Sequence, residues 1–498
     1  MDTVKPKMFM TYQLYFAIFI CSFTSAVNGF DNSLMGNMIN LPGFINRFGN
    51  QNIGQNGDGN STGLLFCVIY VGAILGSVCA GPLSNAFGRV FGLKAGSVAV
   101  LAGGAVETLA TNIGVFMIGR TMIGFGLVFL ISQATTYVVE IAHPAFRSRA
   151  GSFCNTGWFF GSIPASFIML GVTRLDASDF QWQLPAGLQC FFAVIVFFGA
   201  FFMPETPRWL VSKGRVEEAR EFFVKHHANG NTKDPIVDEQ MNELQRNISG
   251  TQNEQTFLSF LSTRANRYRT VIIIAVAFFS QTCGNFVASY FLPQVTIYFG
   301  VPAEDAFKQN LLQVVINIFS FAASMVGVSY SEHSSRRNTL FYGTCSFVVC
   351  FSVLTGFIAM FTSTGQAFWG ILAFIALQAF TICYSLVWTP LNALYPAECL
   401  NFQGRATGMA MLQFFINMAS IFQSFVLAKG LTYYSYKFFL AYIGFDIFAA
   451  IFIYYIFPET NGRSPEDVDS IFEAENVVAH SLSLRDNSTL EMSLKQRK

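Results

Sequence analysis

The segment Tyr137-Val-Val-Glu140, followed by Arg147, recurs in this chain as Tyr395-Pro-Ala-Glu398, followed by Arg405. In both copies the arginine lies seven residues after the glutamate. Three further pairs of motifs keep nearly the same offset: Gly29 and Asp31 with Gly284 and Asn285, Arg89 with Arg336-Arg337, and Pro204-Glu-Thr-Pro-Arg208 with Pro458-Glu-Thr-Asn-Gly-Arg463. The repeat predicts that the 498 residues form two homologous halves of about 250 residues each.

The composition is typical of a membrane protein. Hydrophobic residues make up 52% of the chain and charged residues only 12%, against roughly 25% charged residues in soluble proteins. The net charge of +1 gives no reason to expect a nucleic acid partner. The five histidines are too scattered for a metal site, and no cofactor is expected. Because no combination of nucleophile, base and metal ligands stands out, an enzyme is not expected either.

Twelve stretches of about 20 mostly apolar residues are long enough to cross ~30 Å of hydrocarbon, which predicts an all-α membrane protein with twelve transmembrane helices. The predicted spans are 12–32, 62–86, 92–111, 114–139, 148–172, 186–204, 270–299, 307–330, 338–361, 366–394, 406–428 and 434–457. The loops on the side of both termini hold 24 of the 30 Lys and Arg residues, the opposite loops hold five, and Arg120 lies inside a span. Since cytoplasmic loops carry such an excess, both termini are predicted to be cytoplasmic.

One long hydrophilic segment divides the spans into two pseudo-symmetric six-helix bundles. The predicted domains are a cytoplasmic N-terminus (1–11), a first bundle (12–204), a cytoplasmic linker with short helices (205–269), a second bundle (270–457) and a cytoplasmic tail (458–498). An amphipathic linker helix is predicted from the spacing of its apolar residues, which are Val216, Ala219, Phe222 and Phe223.

Two local features follow from this orientation. Asn60 begins the sequon Asn60-Ser-Thr62 in the first outward loop, where it is predicted to be glycosylated. The tail after Ser464 is polar and faces the cytoplasm, so we expect it to be disordered.

Several motifs occur together in an order that characterises one known family. They are Gly29-Phe-Asp31 in span 1, Gly81-Pro-Leu-Ser-Asn-Ala-Phe-Gly-Arg89 after span 2, Gly119-Arg-Thr-Met-Ile-Gly-Phe-Gly126 in span 4, Pro204-Glu-Thr-Pro-Arg-Trp-Leu210 after span 6, Asn317 in span 8, and Pro458-Glu-Thr-Asn-Gly-Arg-Ser-Pro-Glu466. With these motifs the chain resembles the sugar porters of the major facilitator superfamily, in particular fungal hexose and disaccharide transporters of the lactose-permease type. The resemblance runs from about Asn28 to Phe472 and implies the major facilitator fold, with a substrate cleft between the two bundles.

Asp31 in span 1 and Arg120 in span 4 are charged side chains inside predicted spans. Such charges are costly in a bilayer and usually have a partner or a function. The resemblance places the two close together, where each lowers the other's desolvation cost. Because a cation favours an ionised carboxylate and burial favours a protonated one, movement relative to Arg120 would switch Asp31 between holding and releasing a proton. Proton coupling is therefore the expected role, with a structural ion pair as the alternative. Glu107 and Asp446, also inside spans, are left unexplained between a proton relay and the more frequent case of a residue near a helix end that faces the interface.

Neutral amides are the candidate substrate ligands, because an amide offers both a donor and an acceptor to sugar hydroxyls. By match to the family pattern, the resemblance assigns substrate contacts to one residue in each of spans 1, 5, 8, 10 and 11 and to three in span 7. They are Asn28, Asn155, Asn317, Asn392, Asn417, Gln281, Asn285 and Tyr290, the last as an aromatic wall or gate. The alternative is that these amides hydrogen-bond neighbouring helices, which is common in membrane bundles.

Charged residues at the cytoplasmic ends of the spans are predicted to form carboxylate–guanidinium networks that hold the outward-facing state. This cytoplasmic gate comprises Arg89, Glu140, Arg147, Glu205, Arg208, Glu332, Arg336, Arg337, Glu398, Arg405, Glu459 and Arg463. Asn85 stands where the family usually has an aspartate, so the network of the first half is expected to be the weaker one.

The expected function is sugar transport by alternating access, with proton-coupled symport of a disaccharide or hexose. Asn28 replaces an aromatic residue of the family pattern, and Ala393 stands where many hexose carriers have a tryptophan. The loss of two large rings enlarges the cavity and favours a disaccharide such as a β-galactoside. Alternatives are a facilitative carrier of a polyol, inositol or quinate-like compound, and a non-transporting sugar sensor. The expected partners are a sugar, a proton and the lipid bilayer, for a functional monomer in the plasma membrane.

Overall fold

The structure, a computed structural model, describes residues 10–49, 59–143, 147–249, 257–302, 305–331, 334–400, 404–461, 463 and 465–483. Helices are the only regular elements in these ranges. Nine helical stretches within them are long and apolar enough to cross a membrane. One of the nine, Thr407–Ile456, contains predicted spans 11 and 12, and predicted spans 5 and 7 are each divided into shorter helices. Together these helices account for the twelve predicted spans.

The chain divides into two compact units. The first consists of Met1–Asn253 and Ala303–Asn317, and the second of Glu254–Pro302 and Ile318–Lys498. The boundary at Asn253 falls inside the predicted linker, whereas the domain bounds proposed from the sequence remain a prediction.

The helices of the first unit include the predicted spans 1 to 6 and three linker helices. They are α1 (Tyr12–Met38), α2 (Pro42–Phe48), α3 (Gly59–Phe87), α4 (Arg89–Thr108), α5 (Ile113–Ile141), α6 (Arg147–Thr156), α7 (Trp158–Val172), α8 (Phe180–Leu188), α9 (Cys190–Gly199), α10 (Pro207–Ser212), α11 (Val216–His226) and α12 (Pro235–Ser249). Helix α5 begins at a side-chain cap, since Asn112 Oδ1 accepts a hydrogen bond from Val115 N at 3.0 Å.

The remaining helices carry spans 7 to 12 and part of the tail. They are α13 (Arg264–Thr282), α14 (Asn285–Ser289), α15 (Leu292–Thr296), α16 (Ala306–Ser331), α17 (Arg336–Thr364), α18 (Ala367–Cys399), α19 (Arg405–Tyr434), α20 (Phe439–Ile456) and α21 (Pro465–Glu473), with short 3₁₀ turns at Phe257–Leu261, Ile297–Phe299 and Ser435–Phe438. Helix α16 begins in the first unit and continues into the second.

The linker helix predicted from its apolar spacing is confirmed as α11, whose buried face includes Ala219, Phe222 and Phe223. Two consecutive histidines attach α11 to the rest of the first unit. His226 Nδ1 lies 2.5 Å from the hydroxyl of Thr11, at the start of α1. His227 Nε2 lies 3.0 Å from the carbonyl oxygen of Ile141, at the end of α5. The linker helix is therefore docked on α1 and α5, at the ends of two predicted spans.

Acidification is expected to loosen this docked helix. Burial, together with the charge of Lys225 and the neighbouring His227, lowers the pKa of His226 from 6.5 to about 4. The undocked imidazole takes up a proton near pH 6.5, so the docked state loses stability as the pH falls from about 6.5 towards 4. Hydrogen exchange corrected for intrinsic rates should show weaker protection of residues 216–226 at pH 5 than at pH 7. Equal protection at both pH values would contradict this, and His226→Gln should remove the pH dependence.

The tail differs from the sequence expectation of disorder. Residues 465–473 form α21, and residues 477–483 are also helical. Val468, Ile471 and Phe472 are spaced three and four residues apart, so they share one helix face and are buried. The polar average of the tail concealed this short apolar stripe.

Candidate functional site

The structure brings Asp31 of α1 and Arg120 of α5 together in a buried ion pair. Arg120 Nη1 donates to Asp31 Oδ1 at 2.8 Å, and Arg120 Nη2 donates to Asp31 Oδ2 at 3.4 Å. The two side chains are only 2% and 1% exposed. A two-pronged contact of this kind fixes the orientation of both groups as well as their separation.

A third charged side chain, Glu107 of α4, adjoins the same pair. Its Oε1 lies 3.8 Å from Arg120 Nη1, and its Oε2 accepts a hydrogen bond from Gln189 Nε2 at 3.1 Å. Glu107 is completely buried. The sequence signalled Glu107 only as a charge inside a span, and nothing in the sequence singled out Gln189.

Predicted span 7, residues 270–299, is interrupted between two of its candidate amides, Gln281 and Asn285. Gly284 has a φ of 94°, in the left-handed region, and separates α13 from α14. A Cβ at this glycine would collide with the ring of Phe351, so a side chain is also excluded by packing. The interruption places Gln281 at the end of one helix and Asn285 at the start of the next.

Gln281 and Asn285, the two amides of predicted span 7, are half-buried and make few strong hydrogen bonds within the second unit. Gln281 Nε2 donates to Ser280 Oγ at 3.0 Å, and Gln281 Oε1 accepts from Ser420 Oγ of α19 at 3.4 Å. Asn285 Oδ1 accepts from Ser289 Oγ at 3.2 Å. These contacts are local or long, so the amides keep capacity for further hydrogen bonds.

Two other candidate amides of the second unit have buried atoms without hydrogen bonds. Among the residues that the structure describes, Asn392 Oδ1 of α18 and Asn417 Nδ2 of α19 have no partner. One is an acceptor and the other a donor. Tyr290 is buried and its ring stacks on Phe286 with centroids 4.4 Å apart, so it is part of a packed aromatic pair.

Two candidate amides of the first unit, Asn317 and Asn28, already make hydrogen bonds within that unit. Asn317 Nδ2 donates to Ser166 Oγ at 2.6 Å and to the Ser162 carbonyl at 3.2 Å, both on α7. This geometry favours a helix-joining role for Asn317. Asn28 Oδ1 accepts from Asn32 Nδ2 at 3.2 Å, and Asn155 is half-buried on α6.

The gate residues of the first unit form a network around the start of α4. Glu205 accepts hydrogen bonds from Arg89 N at 3.0 Å and from Val90 N at 3.3 Å. Arg89 Nη2 contacts Glu140 Oε1 at 3.2 Å, and Tyr137 donates from its hydroxyl to the carbonyl preceding Glu205. Burial raises the pKa of Glu205, although its backbone donors and Arg89 oppose this shift.

The second unit repeats this arrangement at the start of α17. Glu459 Oε1 accepts from Arg336 N at 3.0 Å. Arg336 donates to Glu398 from Nη2 at 3.0 Å and from Nε at 3.1 Å and 3.3 Å, and Thr460 adds a hydroxyl donor at 2.7 Å. Tyr395 donates to the Pro458 carbonyl at 3.0 Å, as its counterpart does in the first unit.

The remaining predicted gate residues make other contacts or lie outside the description. Arg337 donates to the Tyr454 carbonyl at 2.6 Å, and Arg463 donates to the Ser481 carbonyl at 3.3 Å. Arg208 is half-buried on α10. The side chains of Arg147, Glu332, Arg405 and the glycosylation candidate Asn60 lie outside the described residues.

Comparison with known proteins identifies what this architecture is similar to. The sequence model of the family described as "Sugar (and other) transporter" matches residues 17–472. The "MFS-type transporter criB" of Aspergillus cristatus is 24% identical, covering 93% of this chain and 94% of the relative. "Sugar transport protein 4" of Arabidopsis thaliana is 25% identical, covering 95% and 92% respectively.

A solved structure shows the same fold. The major facilitator superfamily "proton:xylose symporter XylE", solved with 6-bromo-6-deoxy-D-glucose, superposes with a TM-score of 0.77 at 19% identity, covering 92% of this chain and 99% of that one. The predicted all-α fold of twelve transmembrane helices is thereby confirmed.

Proposed function

The chain belongs to the sugar transporter family of the major facilitator superfamily, and on this premise we propose that it carries a neutral sugar by alternating access. It is an integral membrane protein. We further propose that it works as a monomer in the plasma membrane, with both termini in the cytoplasm.

The observation that carries the sugar proposal is the pair of unsatisfied amide atoms in the second unit. A buried polar atom without a partner costs about 1–3 kcal/mol, and a ligand that supplied the missing hydrogen bonds would remove this cost. Asn392 Oδ1 can accept a hydrogen bond from a sugar hydroxyl, and Asn417 Nδ2 can donate one. The half-buried Gln281 and Asn285 add further capacity of both kinds.

We propose that transport is coupled to protons through Asp31. Its carboxylate is buried and bound in a two-pronged contact to Arg120. Taking up a proton would weaken this contact and release the guanidinium, which links the protonation state to the packing of α1 against α5. A buried ion pair that only joins the two helices is the structural alternative.

For the substrate we propose a disaccharide such as a β-galactoside, with a hexose as the second choice. Uptake of radiolabelled sugar in cells that lack their own sugar transporters, competed with a panel of mono- and disaccharides, tests this choice. Competition by disaccharides is expected. Uptake of glucose that disaccharides do not inhibit would overturn the choice of substrate, and the absence of any sugar uptake at normal surface amounts would overturn the sugar proposal.

The same assay separates two alternative functions. A facilitative carrier of a polyol, inositol or quinate-like compound would take up that compound in preference to a sugar. A sugar sensor would bind sugar without uptake. Neutral amides, as opposed to an additional cation, make up the candidate site of the second unit, which favours an uncharged substrate.

Gln281→Ala is expected to weaken substrate recognition. Removing an amide that makes one or two hydrogen bonds to the sugar costs about 1–3 kcal/mol, which corresponds to a rise in the apparent KM of roughly fivefold to 150-fold. Initial rates of sugar uptake at a series of sugar concentrations, normalised to the amount of the protein at the cell surface, give this KM. The exposed Gln366, at the start of α18, provides the control, and Gln366→Ala should leave the KM unchanged. A Gln281→Ala variant with unaltered KM would remove this residue from the site.

A further inference from the structure

We propose that Glu107 is what makes a proton obligatory in the transport cycle, because it gives the buried cluster one carboxylate more than it has guanidinium groups. This inference rests on the proposed proton coupling and assigns a role in it to a residue of α4. The cluster consists of Asp31, Arg120 and Glu107.

Close packing of α4 against α5 places Glu107 in the cluster. Gly119, which precedes Arg120, lies against the backbone of Glu107, and a Cβ on Gly119 would be 2.7 Å from Glu107 N and 2.8 Å from the Gly103 carbonyl oxygen. Small residues at such a crossing let two helices approach closely. The carboxylate of Glu107 therefore reaches the same guanidinium that binds Asp31.

Charge balance then fixes how many protons the closed cluster holds. Two carboxylates and one guanidinium carry a net negative charge when all are ionised, and the three side chains are at most 2% exposed. A net charge in a membrane interior is strongly disfavoured. Among the described residues, the other titratable group facing Glu107 is the thiol of Cys190 on α9, which brings no positive charge. The cluster is neutral when it holds one proton.

The hydrogen bonds indicate which carboxylate holds that proton in this conformation. Asp31 accepts from both guanidinium nitrogens, at 2.8 Å and 3.4 Å, an arrangement that suits an ionised carboxylate. Glu107 lies further from the guanidinium, and its Oε1 accepts no hydrogen bond from the described residues. The proton therefore resides on Glu107 while Arg120 is paired with Asp31. When Asp31 takes the proton instead, Glu107 becomes the partner of Arg120.

This arrangement explains how coupling would be enforced. In the sugar-loaded carrier the cluster is sealed from water and only its one-proton form is neutral, so the loaded carrier changes conformation with its proton bound. In the carrier without sugar the cluster is open to water, so the net negative form is solvated and the empty carrier returns after the proton has been released. Removing either carboxylate leaves a neutral pair that needs no proton.

Glu107→Gln is the direct test, in proteoliposomes that contain the purified full-length chain and the sugar that it transports. The variant is expected to lose sugar-induced proton uptake while it keeps sugar exchange across the membrane. If Glu107 were only a packing residue, the amount of protein or the rate would fall and the ratio of protons to sugar would stay as in the wild type. An unchanged ratio would overturn the inference.

Infrared spectroscopy tests the charge count separately from transport. Compared with each variant, the wild type is expected to show one additional carbonyl absorption of a buried protonated carboxyl group, because Glu107→Gln and Asp31→Asn each leave one carboxylate ionised beside Arg120. A band from the buried Asp446 would be the same in all three proteins. Persistence of that absorption in both variants would overturn the inference. If the wild type showed no proton coupling at all, the proposed proton symport would be wrong. Infrared spectroscopy would still show whether the cluster holds a proton.

Discussion

Asp31→Asn is expected to abolish accumulation of sugar against its gradient, so that the ratio of internal to external sugar falls to about one. Asparagine cannot take up the coupling proton, but it is nearly the same size as aspartate. Glu107 lies 3.8 Å from Arg120 and can serve as its counter-ion, so the fold should tolerate the change. Uptake driven by an imposed pH gradient measures accumulation. Exchange of labelled for unlabelled sugar shows that the variant is folded and still carries sugar.

Asp446→Asn provides the matched control for that experiment. Asp446 is also a completely buried carboxylate inside a predicted span, but it belongs to the second unit. We expect this variant to keep accumulation. Accumulation by Asp31→Asn at the wild-type ratio would exclude Asp31 as the coupling group, and loss of accumulation in Asp446→Asn alone would transfer that role to Asp446.

Glu398→Gln is expected to slow transport at least tenfold, and more than Glu140→Gln does. Glu398 accepts three hydrogen bonds from the buried Arg336 and one from Thr460. Its counterpart Glu140 accepts one from Arg89 at 3.2 Å. Hydrogen bonds to charged groups contribute about 1.5–3 kcal/mol each. The loss of charge at Glu398 should therefore shift the equilibrium between the outward-facing and inward-facing states by several kcal/mol.

Initial uptake rates, normalised to surface amount, compare the two variants directly. Thr460→Val removes one neutral donor to Glu398 and should have an effect smaller than Glu398→Gln. If Glu140→Gln slowed transport as much as Glu398→Gln or more, the network of the second unit would not be the stronger of the two.

Much of the fold could be predicted from the sequence because it depends on length and repetition. Apolar runs of about 20 residues predict spans, and the repeated Tyr-x-x-Glu and Pro-Glu-Thr motifs predict equivalent networks. In the structure, Tyr137 and Tyr395 make equivalent contacts, since they donate to the carbonyls of Pro204 and Pro458 in their own units.

The interruption of span 7 and the order of the tail were not predicted. A glycine in an apolar run is compatible with a straight helix, and nothing in the run indicates that Gly284 adopts a left-handed backbone conformation beside the ring of Phe351. The tail is polar on average, whereas its folding depends on three apolar residues on one face of α21. Averages over a segment conceal such features.

The sequence selected the candidate amides by residue type, but it did not show which of them have atoms without a hydrogen bond. Asn317 and Asn417 look alike in a sequence, yet the first is bound to Ser166 and the second has an unsatisfied Nδ2. Likewise, the proximity of Glu107 to Arg120 depends on the crossing of α4 and α5. Contacts between helices decide these cases, and helical periodicity does not reveal them.

The most direct measurement is proton movement on addition of sugar to proteoliposomes that contain the wild-type protein. The account predicts that a transported sugar makes the external medium more alkaline, as protons enter with it, and that Asp31→Asn abolishes this signal while sugar exchange continues. Sugar entry with no alkalinisation, at an unchanged rate in Asp31→Asn, would contradict the coupled mechanism.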